Sequence, residues 1–191
     1  MEEVVKNIKE AINGESNAQR KYELFSKKAL SEGLPQIAYL FKATAFAEGI
    51  HIRNHLKALA TILGSEANPQ EFVKIDEEKL KSLIKDTKSS LLDAIAGEMF
   101  EFKKMYKNFV KIADKAGEDV AELSFTLARY AERVHAKLYS TALKKLESNK
   151  PREIKEIYVC SICGNIELNE IPSKCPVCDH GPQFFKKIEM S

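Results

Sequence analysis

Four separate stretches of this 191-residue chain carry metal-ligand side chains at helical spacing, and they restrict the fold more than any other feature. In chain order they are Glu15, then Glu48 with His51, then Glu98 with Glu101, then Glu132 with His135. At about 100° per residue, two positions three apart lie within roughly 60° of each other on one helix face. The last three stretches therefore each present two ligands in one direction, and the first presents one. Carboxylates buried together without counter-charge are costly. The pattern thus calls for a four-helix bundle holding two divalent cations between its helices.

Apolar spacing marks the helices themselves. Val4, Ile8, Ala11, Ile12, Ala18, Tyr22, Phe25, Ala29 and Leu30 predict a helix over 3–31 that ends before Gly33, and Pro35 opens a second that runs to Gly64. Residues 65–87 hold Asn68-Pro69 and a charged run and read as a long crossover. A third helix is expected over 89–116 up to Gly117, and a fourth over 118–148. Gly14 and Gly97 each precede a ligand inside a helical pattern, where a missing side chain either permits close approach or is simply tolerated. After Asn149-Lys150-Pro151 the helical pattern gives way to short β-rich pieces over 154–159, 164–168 and 183–188. The expected organisation is a bundle over 1–148, a linker over 149–154 and a small domain over 155–191. Roughly forty residues build little core unaided, so this tail needs a metal to fold.

All four cysteines lie in the tail, as Cys160-Ser-Ile-Cys163 and Cys175-Pro-Val-Cys178. Two such pairs close a tetrahedral tetrathiolate site, for which zinc and iron are both suitable. Gly164 after the first pair supplies a positive-φ turn; Asp179 holds the equivalent place after the second, tolerated at a cost. His180 is a weaker alternative ligand. In the bundle, the carboxylate and imidazole set favours iron or manganese, with zinc possible. His55 lies one turn beyond His51, too far along the axis for the same ions, and is expected to support a ligand or face solvent. Tyr22, seven residues after Glu15, and Tyr106, eight after Glu98, are candidates to hydrogen-bond ligating carboxylates, with plain core packing as the rival.

The 30 basic and 28 acidic residues are intermingled, which argues against nucleic acid or an anionic membrane as partner. The start, Met-Glu-Glu-Val-Val-Lys, lacks a basic-then-apolar leader, and no run approaches the roughly 20 apolar residues of a membrane span. The expected location is the cytoplasm, where thiols stay reduced.

On Gly14-Glu15-Ser16-Asn17-Ala18, Ala47-Glu48-Gly49-Ile50-His51, Ala96-Gly97-Glu98-Met99-Phe100-Glu101 with Met105-Tyr106, Ala131-Glu132-Arg133-Val134-His135, and the two cysteine knuckles, the chain resembles the rubrerythrin family over essentially its whole length. The resemblance implies an all-α ferritin-like four-helix bundle with a di-iron centre and a C-terminal β-rich rubredoxin-like domain whose iron sits on four cysteines, hence three Fe per subunit. It implies that Glu48 and Glu132 bridge the irons, that Glu15 and Glu98 are terminal, that His135 binds one iron, and that the other exchanges His51 for Glu101 as its oxidation state changes. The implied activity is reduction of hydrogen peroxide to water as protection against oxidative stress. Glu101, His51, Tyr22 and Tyr106 would attend the reaction, and electrons would come through the rubredoxin-like iron from a rubredoxin or a flavoprotein reductase. Departures from the family pattern are Asp179 and an unusual Gly49 between Glu48 and His51.

Two other classes compete. A ferroxidase or iron-handling ferritin-like protein would need only the bundle, and a non-catalytic protein would carry zinc in its tail. The last expectation concerns assembly. The fourth helix rises about 1.5 Å per residue beyond His135, which would carry the tail metal roughly 20 Å or more from its own di-iron pair. A head-to-tail homodimer, each tail beside the partner's bundle, would close that gap.

Overall fold

Helix ends fall where the backbone needs glycine or proline. The computed structural model describes residues 1–148 and 153–190. Helix α1 (Glu2–Ser31) closes with the Leu34 amide donating to the Ala29 carbonyl at 2.9 Å, Gly33 taking the left-handed φ of 73° that this closure requires. Pro35 then opens α2 (Pro35–Leu63), which stops at Gly64 with φ 69°. Helices α4 (Thr87–Phe100), α5 (Tyr106–Ala116) and α6 (Asp119–Glu147) complete the bundle, with α1 packed along α2 and α6 along both α4 and α5. No helix among the described residues is long and apolar enough to cross a membrane.

The crossover is more ordered than its composition suggests. Asn68 caps a short 3₁₀ turn, Pro69–Glu71, and Asp76 caps α3 (Glu77–Leu83) by accepting from the Lys79 amide at 3.0 Å. Asn13 accepts from the Lys74 amide at 2.8 Å and Arg20 pairs with Glu77 at 2.5 Å, so α1 holds the strap in place.

The expected third helix is broken. A π-helical turn, Glu101–Met105, separates α4 from α5, with the Tyr106 amide reaching back to the Glu101 carbonyl. In an unbroken α-helix Tyr106 would lie about 80° around from Glu98, eight residues before it. One extra residue per turn removes about 100° and restores Tyr106 to the ligand face. The turn therefore re-registers α5 against the site.

The small domain is a three-stranded antiparallel sheet in the order β2-β1-β3, with β1 Ile157–Cys160, β2 Ile166–Leu168 and β3 Phe185–Ile188. In the middle strand Ile157 faces Leu168 on one side and Ile188 on the other. Apart from the cluster around Cys160, Cys163 and Cys175, the apolar side chains of the small domain pack on the bundle. Ile154, Ile157, Val159, Ile166 and Ile188 join Tyr39, Leu40 and Phe41 of α2 in one buried cluster. Tyr39 Oη accepts from the Ile157 amide at 3.1 Å and donates to the Ile188 carbonyl.

Two expectations need correction. Of the linker over 149–154, residues 149–152 lie outside the described residues, and Ile154 is already core at 6% exposure. The tail also does not run on beyond the bundle. It docks on α2 of its own chain, because a sheet too small to enclose its apolar face must cover it on another surface. The expected 20 Å separation is therefore not what this chain adopts. Gly14 and Gly97 are tolerated rather than required, since a side chain at Gly14 would meet nothing within 4 Å and one at Gly97 only the flexible Lys21 ammonium at 3.9 Å.

Candidate metal centres

Two overlapping sets of ligand atoms occupy the middle of the bundle, between an apolar layer around Ile8, Ile12, Leu59 and Phe125 and another around Tyr22, Phe25, Phe41 and Tyr139. Glu15, Glu48, His51 and Glu132 form one; Glu48, Glu98, Glu132 and His135 form the other. The sets share Glu48 and Glu132. His51 Nδ1 lies 2.9 Å from Glu48 Oε2 and 2.8 Å from Glu132 Oε1, while His135 Nδ1 lies 3.8 Å from Glu48 Oε1 and 2.7 Å from Glu132 Oε2. Each of the two shared carboxylates thus offers one oxygen to each side. Glu15 stands on the His51 side at 3.4 Å and Glu98 on the His135 side at 3.6 Å.

These atoms fit metal ions better than they fit each other. The carboxylate oxygens of Glu48 and Glu132, one each of Glu15 and Glu98, and both imidazole Nδ1 atoms are buried without a hydrogen-bond partner. Ligands about 2.1 Å from an ion and at right angles lie about 3 Å apart, close to the shorter spacings seen here. The alternative, several carboxylates buried beside one another, is electrostatically adverse. Loss of solvent and the Glu132 charge push Glu98 up to about 8, and the same two causes raise Glu15 and Glu48. Burial pulls the imidazoles down, yet the carboxylates, Glu132 foremost, leave His51 and His135 well above the ordinary value.

This sets a test of metal removal. In metal-free protein, Glu15, Glu48 and Glu98 bind protons that the unfolded chain releases above its carboxyl value of 4.5. Their stabilising contribution is full below that value and is lost as pH rises through their raised values, about 8 for Glu98; the raised imidazoles act in the same direction from 6.5 upward. Glu132, whose pKa is lowered, contributes oppositely but only at acid pH. Metal-stripped protein should therefore lose its helical signal at lower temperature near pH 8 than near pH 6, with metal loading cancelling the difference. A melting temperature that rises with pH in the stripped protein would contradict the cluster's electrostatics.

The far nitrogens of the two imidazoles are equally informative. His51 Nε2 donates to the Cys163 carbonyl and His135 Nε2 to the Gly164 carbonyl, both at 3.0 Å, which fixes a proton on each Nε2, so that a neutral ring would turn its Nδ1 lone pair toward the cluster. The cysteine knuckle thus touches both imidazoles directly. Arg53 and Asn54 extend the contact by donating to the Ser161 and Ile162 carbonyls, the latter at 2.7 Å. Gly164, with φ 79°, permits it: a Cβ there would stand 2.5 Å from His51 Nε2.

The four sulfurs are free thiols whose Sγ atoms all lie within 4.8 Å of one another, with Cys160 to Cys178 and Cys163 to Cys175 at 3.6 Å. A tetrahedron with metal–sulfur bonds of about 2.3 Å has edges of about 3.8 Å. Gly164 and Asp179 both take the expected positive φ, with their amides donating to the Cys160 and Cys175 carbonyls at 2.9 Å. His180 is exposed and bonds the Cys178 carbonyl instead of joining the sulfurs.

Both tyrosines reach terminal carboxylates, though not by the simplest route. Tyr22 donates to Glu98 at 2.5 Å, and Tyr106 donates to Glu15. Burial, then the adjacent carboxylates, hold both phenols well above their ordinary value, so they stay protonated. Glu101 stands outside both ligand sets, half-buried at the start of the π-helical turn, where loss of solvent and then Glu15 and Glu98 raise its pKa. His55 is buried and bonded to Tyr106 and Ser124. Ser124, Arg53, Asn54 and Tyr39 carry no sequence signal, because their roles arise only from contacts between distant segments.

Comparison with known proteins is consistent along the whole chain. The rubrerythrin family model matches residues 6–151, and the model of the rubrerythrin rubredoxin-like domain matches 158–186. Rubrerythrin-1 of Clostridium acetobutylicum is 34% identical over 94% of this chain and 91% of its own length. Nigerythrin of Nitratidesulfovibrio vulgaris is 37% identical over 91% of this chain and 81% of its own. A solved structure of fully reduced, all-ferrous nigerythrin superposes with a TM-score of 0.84 at 33% identity, covering 97% of this chain and 86% of that one. Symerythrin from Cyanophora paradoxa, at 22% identity and a TM-score of 0.55, shares the fold.

Proposed function

The chain belongs to the rubrerythrin family, and from that premise we propose that it reduces hydrogen peroxide to water at a di-iron centre supplied with electrons through its tetrathiolate iron. One observation carries the reading: the imidazoles facing the carboxylate cluster are hydrogen-bonded, at their other nitrogens, to carbonyls of the cysteine knuckle. A ferroxidase or iron-storage role needs the bundle and leaves that contact without a task. Reduction of one peroxide consumes two electrons and two protons and yields two waters. A pair of bound ferrous ions supplies both electrons together.

The residues supply position and protons. Glu48 and Glu132 span the two halves of the site, Glu15 and Glu98 close its ends, and His51 and His135 face it with Nδ1. Tyr106 and Tyr22 hold protons at Oη against the terminal carboxylates, where they could be passed to a substrate bound in the site. The ligand side chains are at most 1% exposed, which restricts entry to a molecule as small as peroxide. Residues 1–148 are assigned to this centre and 155–191 to the electron-transfer iron.

Glu101 is proposed to replace His51 as a ligand on oxidation. A hard carboxylate favours ferric iron and imidazole suits ferrous iron at least as well. Crystals of oxidised and reduced protein should differ at these two residues, and Glu101→Ala should slow turnover about 10- to 100-fold. Identical coordination in both states would count against the exchange.

A reduced rubredoxin or a flavoprotein reductase is the proposed donor, and a reducing cytoplasm suits the four free thiols. The head-to-tail homodimer belongs to the proposal on symmetry grounds, with each tail leaving its own α2 to take the same place on the partner's bundle. Mixed dimers, one subunit lacking the cysteines and the other the bundle ligands, should stay active if transfer crosses between subunits. The function itself is tested on protein purified without oxygen. The expected result is red absorption from ferric tetrathiolate and donor-dependent peroxide consumption much faster than oxygen consumption. Colourless, zinc-loaded protein that leaves peroxide untouched would overturn it.

A further inference from the structure

A line of three polar groups leads away from Glu15 through the interior. Tyr106 Oη donates to Glu15, His55 Nε2 lies 2.9 Å from Tyr106 Oη, and His55 Nδ1 lies 2.7 Å from Ser124 Oγ. Tyr106 and His55 are fully buried and Ser124 is 6% exposed. His55 belongs to neither ligand set.

Proton counting fixes the direction of every bond in the line. A carboxylate that holds a metal only accepts, so the single phenolic proton of Tyr106 goes to Glu15. Tyr106 Oη can then only accept from the imidazole, which puts the His55 proton on Nε2. Nδ1 of the neutral ring is left as an acceptor, and the Ser124 hydroxyl donates to it. All three donors point toward Glu15. Burial, reinforced by His51, holds His55 down at about 3, in keeping with a neutral ring. Its rotation is restricted by Tyr106 and Phe125, whose ring centres lie 5.6 and 5.4 Å away.

We infer that His55, with Ser124 setting its tautomer, is a positioning residue that holds the Tyr106 hydroxyl as a standing proton donor to Glu15. Without it the phenol has a buried lone pair to satisfy and no fixed orientation when peroxide arrives. The kinetic consequence rests on the peroxidase reading; the tautomer does not.

The test has two arms. Full-length protein carrying zinc in its metal sites is diamagnetic, and two-bond ¹H–¹⁵N correlations of its histidines distinguish the tautomers. His55 should remain neutral with its proton on Nε2 across the range where an ordinary imidazole titrates. A proton on Nδ1, or an imidazolium, would overturn the inference with no variant required. In iron-loaded protein, His55→Phe should lower turnover at saturating peroxide about tenfold with KM and iron content unchanged, a smaller loss than removal of an acid itself. His55→Gln, which keeps a donor near the Nε2 position, should recover most of it. Unchanged turnover in His55→Phe would also overturn the inference. Wild-type protein that failed to consume peroxide would instead remove the peroxidase reading and leave the tautomer arm to decide the geometry.

Discussion

Glu132→Ala should empty the bundle of iron and cut peroxide reduction about a thousandfold, equivalent to about 4 kcal/mol of transition-state stabilisation. Among the described residues no other single side chain serves both halves of the site so closely, with one oxygen 2.8 Å from His51 Nδ1 and the other 2.7 Å from His135 Nδ1. Its loss removes a ligand from each ion and one of the charges that offset them. The four sulfurs belong to another segment, so the variant should keep its tetrathiolate iron and its red colour. Metal analysis should find about one iron per chain in place of three. Glu132→Gln, nearly isosteric, separates lost charge from lost packing and should fail almost as badly. Full turnover in either variant would remove Glu132 from the site.

Gly164→Ala should uncouple the two centres more than it impairs either. Its φ of 79° is a conformation that costs a side-chain-bearing residue about 1–3 kcal/mol, and its Cβ would meet His51 Nε2 at 2.5 Å, His51 Cδ2 at 3.0 Å and the Ala47 carbonyl at 3.3 Å. The knuckle must back away from α2, and both imidazole–carbonyl hydrogen bonds go with it. A shift of about 1.4 kcal/mol in docking changes the docking equilibrium constant about tenfold. Donor-driven turnover should fall by at least about that factor. Oxidation of chemically pre-reduced protein by one equivalent of peroxide should slow less than donor-driven turnover in stopped-flow. Equal losses in both measurements would mean that the residue matters to the bundle itself.

The convergence of Glu15, Glu48, His51, Glu98, Glu132 and His135 was readable in the sequence, because an i, i+3 spacing fixes two side chains on one helix face without reference to the rest of the fold. Gly33, Pro35, Gly64 and Gly117 gave the helix boundaries for a similar local reason. Contacts made across the chain were not readable. The π-helical turn at Glu101 has no periodic signature, since one inserted residue looks like ordinary helix on either side. His55 could be placed one turn beyond His51, but Tyr106 and Ser124, its partners, lie 51 and 69 residues away. The tail was misjudged by treating it as a unit with a spacer. Its Ile157, Val159 and Ile188 needed the apolar wall of α2, and that demand, rather than helix length, decides where the cysteines sit.

The docking also gives the tetrathiolate a polarity, much as a socket has a plug side and a cable side. Cys160, Cys163 and Cys175 are buried and Cys178 alone among the four is partly open to solvent. The carbonyl of Cys163 is the one bonded to His51. On the proposed function, a donor arriving from solvent would meet the four sulfurs at Cys178, while the Cys163 side is covered by the bundle. The direction of transfer would be set by the potentials of the two centres, and a donor too large to approach the Cys178 edge would find the other three cysteines covered.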